Sequence, residues 1–329
     1  MLQTEQSVFI LNLTVPCIVT IAVILALLRT GYAPLDRPND RSLHITPTPR
    51  VGGVAIILGA ASGWLIGNIG SNAPIAYLSI ALSVFCVIDD IRGLPVAFRF
   101  AIQVIAASIA LLVGPPVTVG LTYDIFLLLV IVWGPNLFNF MDGSNGLAGG
   151  MALIGFGFIA LGSWIFGSTD FLIISVTVSS ASLGFLLFNF DPAKIFMGDA
   201  GSIPLGFLAA AIGVKGYVAT AWPWTFPVLI FAPFIADSTV TLGKRILRGE
   251  RLWKAHRDHY YQRMVRIGLG HKGTVLIAYS LMIVCGSLAL LARDKTATIQ
   301  YLVLGVVYFG YFGLMVVFDI TWKKSGLPR

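Results

Sequence analysis

The sequence predicts an all-α membrane protein, a bundle of about eleven transmembrane helices that forms a single domain over residues 1–329. Of its residues 57% are apolar and only 11% are charged, whereas soluble domains carry about 25% charged residues. A helix needs roughly 20 apolar residues to cross a bilayer, and eleven apolar runs are candidates. In chain order they cover about residues 8–29, 51–70, 75–88, 98–113, 125–138, 147–167, 171–190, 203–214, 223–242, 274–292 and 299–319.

The basic residues give these spans a direction. With eleven spans, one side of the membrane receives the segments 29–50, 89–99, 139–146, 191–202, 243–273 and 323–329. These segments contain 19 of the 22 Lys and Arg residues, and the other side has only Lys215, Arg293 and Lys295. Because Lys and Arg are enriched in cytoplasmic loops, we expect this side to be cytoplasmic, with the N-terminus outside and the C-terminus inside. The net charge of +7 follows from this orientation and does not indicate a nucleic-acid partner.

Three acidic clusters lie at the cytoplasmic ends of apolar runs: DDIRGL from Asp89, NFMDGSNGLAGG from Asn139, and FMGDAGS from Phe196. A charge beside hydrocarbon is costly, so acids kept there usually have a function. Three clusters on one side of the membrane, each next to glycines, predict a site for a divalent cation. The most natural ligand of such a site is a phosphate.

Asp89 and Asp90 directly follow an apolar run. Adjacent side chains on a helix point about 100° apart, so both carboxylates can meet one ligand only near a helix end. Close carboxylates raise each other's proton affinity, and a metal ion relieves that repulsion. The alternative is a solvated helix cap with no role in binding.

Asn139, Asp142 and Asn145 recur at every third position, followed by several glycines. On a helix this spacing puts them on one stripe, and in a turn their oxygens can converge. The glycines allow a ligand to approach the backbone closely. The alternative is a polar loop whose Asn and Asp side chains cap helices.

Asp199 precedes an apolar run and stands between Gly198 and Gly201. Backbone N–H groups at a helix start suit an anion, and the carboxylate suits the metal ion that accompanies it. A simple helix cap by Ser202 is the competing interpretation.

His256 and His259 lie in the stretch KAHRDHYYQRM, within a segment that has nine Lys and Arg residues between Lys244 and Lys272. Together with Asp258 they could bind a metal or a phosphate. The alternative is strong, because basic inner loops also serve to orient a membrane protein.

Four further polar residues are weaker candidates. His44 and His271 also fall on the predicted cytoplasmic side. Asp237 lies inside the proline-interrupted run 223–242, which we expect to be kinked, and an intramembrane acid is a functional candidate by default. Asp319, at the end of the last run, is expected to be an interfacial, solvated group.

The motifs resemble those of the polyprenyl-phosphate N-acetylhexosamine-1-phosphate transferases, the glycosyltransferase family 4 enzymes that begin O-antigen, teichoic acid and peptidoglycan lipid intermediates. The matching stretches are PRVGG at 49–53, DDIRGLP at 89–95, NLFNFMDGSNGLAGG at 136–150, FMGDAGS at 196–202 and the histidine-containing inner loop.

The resemblance assigns roles to the candidate residues. It implies that Asp89 and Asp90 are catalytic and that Asp199 binds Mg²⁺, with Mn²⁺ a possible substitute. It places the motif of Asn139, Asp142 and Asn145 in the nucleotide cleft. It also implies that the loop of His256 and His259 contacts the donor.

The histidine loop distinguishes branches of this family. The branch that uses a muramyl-pentapeptide donor has three consecutive histidines, whereas this chain reads HRDHYYQ, which resembles the branch that initiates O-antigen. The implied reaction joins a UDP-linked N-acetylhexosamine to undecaprenyl phosphate and releases UMP. It would take place at the cytoplasmic face of the bacterial inner membrane, in a multi-pass protein that could form a homodimer.

In such a reaction an Asp could act as a base or as a clamp. A phosphate monoester is largely ionised at neutral pH, which slightly favours the clamp. A transporter of an anionic substrate is the main alternative function. Transporters often carry internal repeats and midplane acids, whereas this sequence shows no evident repeat and its acids lie at helix ends. An alcohol phosphotransferase with two metals would concentrate its acids in one motif.

Overall fold

The computed structural model describes residues 2–31, 34–38, 43, 46–114, 120–251 and 256–327. Within these residues the chain is almost entirely α-helical. In chain order the helices are α1 (Leu2–Thr30), α2 (Gly52–Ile66), α3 (Ala73–Arg92), α4 (Val96–Leu112), α5 (Leu121–Met141), α6 (Leu147–Ile165), α7 (Thr169–Asn189), α8 (Asp199–Val218), α9 (Thr225–Ile230), α10 (Ala232–Leu247), α11 (Tyr260–Met264), α12 (Gly270–Ala292) and α13 (Ala297–Lys324). A 3₁₀ turn precedes α3, and a π-helical turn over Val265–Leu269 joins α11 to α12. Two short antiparallel strands, β1 (Leu35–Asp36) and β2 (Thr48–Pro49), complete the described structure.

Eight helical segments of the described chain are long and apolar enough to cross a membrane. They are Gln6–Thr30, Gly70–Arg92, Leu121–Met141, Leu147–Ile165, Thr169–Asn189, Asp199–Val218, Tyr260–Ala292 and Ala297–Lys324. The apolar helices α2 and α4 are shorter, with 15 and 17 residues. The chain is therefore a polytopic all-α membrane protein, as predicted. Each of the eleven predicted runs overlaps a helix, and the number of spans and their direction stay predictions.

The predicted kink in the run 223–242 is a break between α9 and α10. Phe231 separates the two helices with backbone angles φ −92° and ψ 11°, and Pro233 lies in the first turn of α10. Proline lacks the N–H that would continue the α9 hydrogen-bond ladder. The break divides one apolar run into two short helices, so neither of them reaches the length of a span.

The basic segment 243–273, which the sequence predicted to be a loop, is largely helical at both ends. The helix α10 continues to Leu247, and α11 begins at Tyr260. The start of α11 is capped by a side chain from α10, described below. The segment 252–255 lies outside the described residues.

Two helix starts are held together by their backbones. Gly52 N–H donates to Phe196 O (2.9 Å), Gly53 N–H donates to Met197 O (2.8 Å), and Phe196 N–H donates to Pro49 O (2.7 Å). A Cβ atom on Gly53 would lie 2.2 Å from the backbone of Gly201, so only glycine allows this approach. As a result, the PRVGG stretch before α2 lies directly against the FMGDAGS stretch at the start of α8.

Candidate active site

The two carboxylates at the end of α3 point in different directions and pair with different arginines. Asp89 is buried, at 5% exposure, and accepts hydrogen bonds from Leu94 N–H (2.8 Å) and Arg99 Nε–H (2.8 Å). Asp90 instead accepts from Arg50 Nη2 at 2.5 Å. The 100° between neighbouring side chains explains this divergence. Both oxygens of Asp89 are therefore engaged, and Asp90 is the one that turns towards Arg50.

Asp199 is the first residue of α8. It follows Gly198, whose φ of +69° favours glycine and whose Cβ would lie 2.5 Å from Arg50 O. The side-chain amide of Asn139 donates to Asp199 Oδ1 (2.9 Å) and to Ser202 Oγ (3.0 Å). Ser202 therefore accepts from Asn139, and α8 has no side-chain N-cap. The end of α5 thus orients the Asp199 carboxylate.

Asp142 lies just past the end of α5 and close to Asp199. Burial, and next the charge of Asp199, raise the pKa of Asp142 well above its ordinary value, while the Gly198 N–H and Arg50 act in the opposite direction. The charge of Asp199 acts on Asp90 as well. The carboxylates of Asp90, Asp142 and Asp199 therefore form one electrostatically coupled group beside Arg50.

Asn145, the last residue of the predicted triplet, is directed elsewhere. Its amide donates to Asp191 Oδ1 at 2.7 Å, and the next N–H, that of Gly146, donates to Asn189 Oδ1 at 2.9 Å. These contacts fix the turn between α5 and α6 against the end of α7. The structure thus brings Asn139 and Asp142 to Asp199, and Asn145 stabilises the same turn from its other side.

His259 is buried, although the sequence places it in a polar, basic segment. It is 2% exposed, and its Nδ1 lies 3.1 Å from Asp237 Oδ1. Asp237 also accepts from the N–H groups of Tyr260 and Tyr261, both at 3.0 Å. The physical reason is that the Asp237 carboxylate caps the first turn of α11. The same carboxylate contacts His259, the residue directly before this turn, and holds it in the interior.

The histidine segment rests on the end of α5. Tyr261 Oη donates to Phe140 O at 3.0 Å, and the rings of Phe140 and His259 stack with centroids 6.0 Å apart. Because Phe140 lies two residues before Asp142, these contacts place the segment beside the carboxylate group.

His256 is the more accessible of the two histidines. Its ring stacks on His259 with centroids 5.0 Å apart. Burial, followed by the neighbouring His259 and Arg245, lowers the pKa of His256 to about 4. The ring is therefore neutral at neutral pH, and any contact it makes with a phosphate would be through a neutral N–H.

The other candidates have structural partners. His271 Nδ1 lies 2.9 Å from Ser144 Oγ, and its Nε2 lies 3.2 Å from Leu43 O. Asp319 was expected to be solvated, and this is wrong. It accepts from Arg263 Nη1 (2.8 Å) and Tyr260 Oη (3.1 Å) and pairs with Lys244, because α13 packs against α10 and α11 at this point. His44 lies outside the described residues.

Two arginines of the site were missed by the sequence reasoning. Arg50 and Arg99 were counted only as basic residues that orient the chain. The one signal for Arg50 was its place inside the PRVGG stretch, between a proline and two glycines. Nothing in the sequence distinguished Arg99, since its pairing depends on the turn between α3 and α4.

The donor set fits Mg²⁺ under one condition. Among the described residues, no three His, Cys, Asp or Glu side chains form a metal-binding group by themselves. Mg²⁺, however, is often held by one or two carboxylates with substrate phosphates completing its shell. Burial raises the pKa of Asp142 most and the charge of Asp199 raises it further, and a hard cation would relieve this repulsion between the two carboxylates. The residues therefore fit a Mg²⁺ ion that binds together with a phosphate ligand.

Comparison with known proteins agrees with this geometry. A family model described as "Glycosyl transferase family 4" matches residues 72–217. A probable undecaprenyl-phosphate N-acetylglucosaminyl 1-phosphate transferase of Bacillus subtilis is 29% identical, over 95% of this chain and 91% of that protein. A decaprenyl-phosphate N-acetylglucosaminephosphotransferase of Mycobacterium tuberculosis is 30% identical, over 74% of this chain and 71% of that protein. A phospho-N-acetylmuramoyl-pentapeptide-transferase of Anoxybacillus flavithermus is 32% identical, over 65% of this chain and 75% of that protein. The matched region contains the ends of α3 and α5 and the start of α8, and the chain belongs to glycosyl transferase family 4.

Proposed function

We propose that this protein transfers an N-acetylhexosamine-1-phosphate from a UDP-sugar to undecaprenyl phosphate and releases UMP. The product would be the first lipid-linked intermediate of O-antigen or of a related envelope glycan. The observation that carries the proposal is the grouping of Asp90, Asp142 and Asp199 around Arg50 at one end of the bundle. Enzymes that join two phosphates need such a group, because catalysis is mainly positioning and charge neutralisation.

The start of α8 and the end of α5 would bind the donor. The first N–H groups of α8 favour an anion, and Asn139 fixes the Asp199 carboxylate beside them. Asp199 and Asp90, with Asp142, would hold a Mg²⁺ ion, which when bound neutralises the diphosphate and stabilises the leaving UMP. His256 and the basic segment around it would contact the donor from the side of α11.

The acceptor would enter along an apolar groove. A cavity of about 430 Å³ lies between α5, α8, α9 and α10, and its lining is almost entirely apolar. It extends from Tyr123 near the start of α5 to Phe138, the residue directly before Asn139. A polyprenyl chain in this groove would bring its phosphate to the carboxylate group.

The reaction has little need of a general base. An oxygen of the lipid phosphate attacks the β-phosphorus of the donor, and the bond to the bridging oxygen breaks as UMP leaves. The lipid phosphate is already largely ionised at neutral pH, so orientation is the main requirement. Of the two neighbouring acids, Asp90 is the better candidate for the clamp, since both Asp89 oxygens are engaged.

The donor class follows from similarity and from the histidine segment. Two of the relatives are named for N-acetylglucosamine transfer, and HRDHYYQ lacks the consecutive histidines of the muramyl-pentapeptide branch. The active site would face the cytoplasm, because its acids lie in segments of the predicted side that carries 19 of the 22 Lys and Arg residues.

The test is transfer by purified protein in nanodiscs that contain undecaprenyl phosphate. A panel of UDP-sugars is supplied, and UMP release and lipid-linked product are both measured. We expect UMP release with a UDP-N-acetylhexosamine only when the lipid phosphate is present. Uptake of an anionic substrate into vesicles without UMP release would favour the transporter and refute this function.

A further inference from the structure

Arg50 is the cation within the carboxylate group. Its Nη2 bonds to Asp90 Oδ1, and its charge also acts on Asp142. The side chain is 34% exposed, whereas Asp89 and Asp237 are buried. A partly exposed guanidinium beside several acids can neutralise its neighbours, bind an anion, or do both.

The backbone that carries Arg50 is fixed on both sides. Arg50 N–H donates to Pro34 O at 3.0 Å, and Arg50 O lies where a side chain on Gly198 would have to stand. The neighbouring Pro49 O accepts from Phe196 N–H at 2.7 Å. The Arg50 side chain therefore extends from a fixed backbone position directly beside the start of α8.

We propose that Arg50 binds the diphosphate of the nucleotide-sugar donor and bridges it to Asp90. This inference rests on the proposed function and adds a donor-binding residue to it. A guanidinium has five N–H donors in a planar fork, and its bond to Asp90 engages only part of that fork. The fork matches two phosphate oxygens, which a lysine ammonium cannot do in the same way.

The charge balance of the site supports a second cation. Three coupled carboxylates would repel a diphosphate, and one Mg²⁺ ion does not neutralise three carboxylates together with the donor. Arg50 supplies a further positive charge at the point where the start of α8 meets the end of α3. Its position would therefore reduce the repulsion that the donor meets on approaching the carboxylate group.

Binding measurements on the full-length protein in nanodiscs test this role. Affinities for UDP-N-acetylglucosamine, UDP and UMP are measured by calorimetry in Mg²⁺, for the wild type, Arg50→Met and Arg50→Lys. Arg92→Met is the matched control, because Arg92 is an exposed arginine at the same end of α3. Each variant is first shown to be folded by its thermal unfolding.

We expect Arg50→Met to weaken binding of UDP-N-acetylglucosamine and UDP by about tenfold to a hundredfold, the range of a charge-assisted hydrogen bond. Affinity for UMP should change much less, Arg50→Lys should be intermediate, and Arg92→Met should match the wild type.

A second background separates donor binding from mere neutralisation of Asp90. In Asp90→Asn the carboxylate that pairs with Arg50 has lost its charge, and we expect Arg50→Met to lower donor affinity there as well. Disappearance of the effect in that background, or an equal loss for UMP, would overturn the inference. So would wild-type donor affinity in Arg50→Met. A wild-type protein that neither binds UDP-sugars nor releases UMP would refute the proposed function itself, and this inference with it.

Discussion

Replacing Asp199 by Asn isolates the charge of the central carboxylate from its structure. Asn139 donates its amide hydrogen to Asp199 Oδ1, and an asparagine carbonyl oxygen can accept the same bond. The start of α8 is also held independently, through Gly52 and Gly53. We therefore expect Asp199→Asn to fold normally, so that any loss of activity reports on chemistry.

The expected loss is large. Removing one preorganised group that stabilises transition-state charge costs about 3–4 kcal/mol of barrier, or roughly 10²–10³ in kcat. Asp90 and Asp142 stay in place, so the site keeps part of its charge and some residual activity is expected. Transfer of labelled sugar phosphate to undecaprenyl phosphate is measured in membranes that contain equal amounts of each protein. Asn139→Ala is the companion variant, because it removes the orienting amide and keeps the carboxylate.

The two variants should rank in a fixed order. Asn139→Ala is expected to lose less activity than Asp199→Asn, since a misdirected carboxylate still carries its charge. Wild-type turnover in Asp199→Asn would refute the reasoning, and so would a greater loss in Asn139→Ala than in Asp199→Asn.

The remaining predictions concern metal, pH, the C-terminal helix and topology. EDTA should abolish transfer and Mg²⁺ should restore it, as UMP release would show, and full activity in chelator would exclude the metal. The pKa of Asp142 is raised in the folded protein, so the unfolded chain loses this proton at a lower pH than the folded protein does. This difference destabilises the fold above about pH 4, the ordinary pKa of Asp, and has no effect below it. Asp142→Asn should therefore raise the midpoint of thermal unfolding at neutral pH, lose this advantage in acid, and still lose most of its activity. Asp319→Asn should cost about 1–2 kcal/mol of stability, because it leaves the partly buried Arg263 and Lys244 without their carboxylate partner, whereas Asp294→Asn, which replaces a side chain that is 58% exposed, should stay within about 0.5 kcal/mol in the same unfolding assay. Reporters fused in the α6–α7 turn should appear outside and those in the α7–α8 loop inside, and the reverse result would invert the orientation.

The helices were predictable because their cause is local. The length of each apolar run and the positions of the prolines can be taken directly from the sequence. Each predicted run therefore overlaps a helix, and the break at Phe231 was expected as a kink. The short helix α11 was not predicted. Its first turn depends on Asp237, which lies more than 20 residues earlier and caps it only after α10 and α11 meet.

The residues that form the site were only partly predictable, because their contacts are also distant in sequence. Three acidic clusters on one predicted side indicated that Asp90, Asp142 and Asp199 belong together, and the structure couples them. The sequence could not separate Asp89 from Asp90. Their difference depends on which arginine each one meets, and Arg50 reaches Asp90 across 40 positions of chain.

The position of Arg50 depends on backbone contacts, which are difficult to predict from the types of side chain in the sequence. It lies beside Asp199 because the N–H groups of Gly52 and Gly53 bond to the stretch before α8, and because Gly53 and Gly201 carry no Cβ to keep the helix starts apart. The glycines of PRVGG therefore act on the site from outside it: they bind no ligand, and they set the distance between a cation and a carboxylate. A glycine motif in such a chain is best interpreted together with the charged residue that precedes it, since the close backbone approach determines where that charge lies.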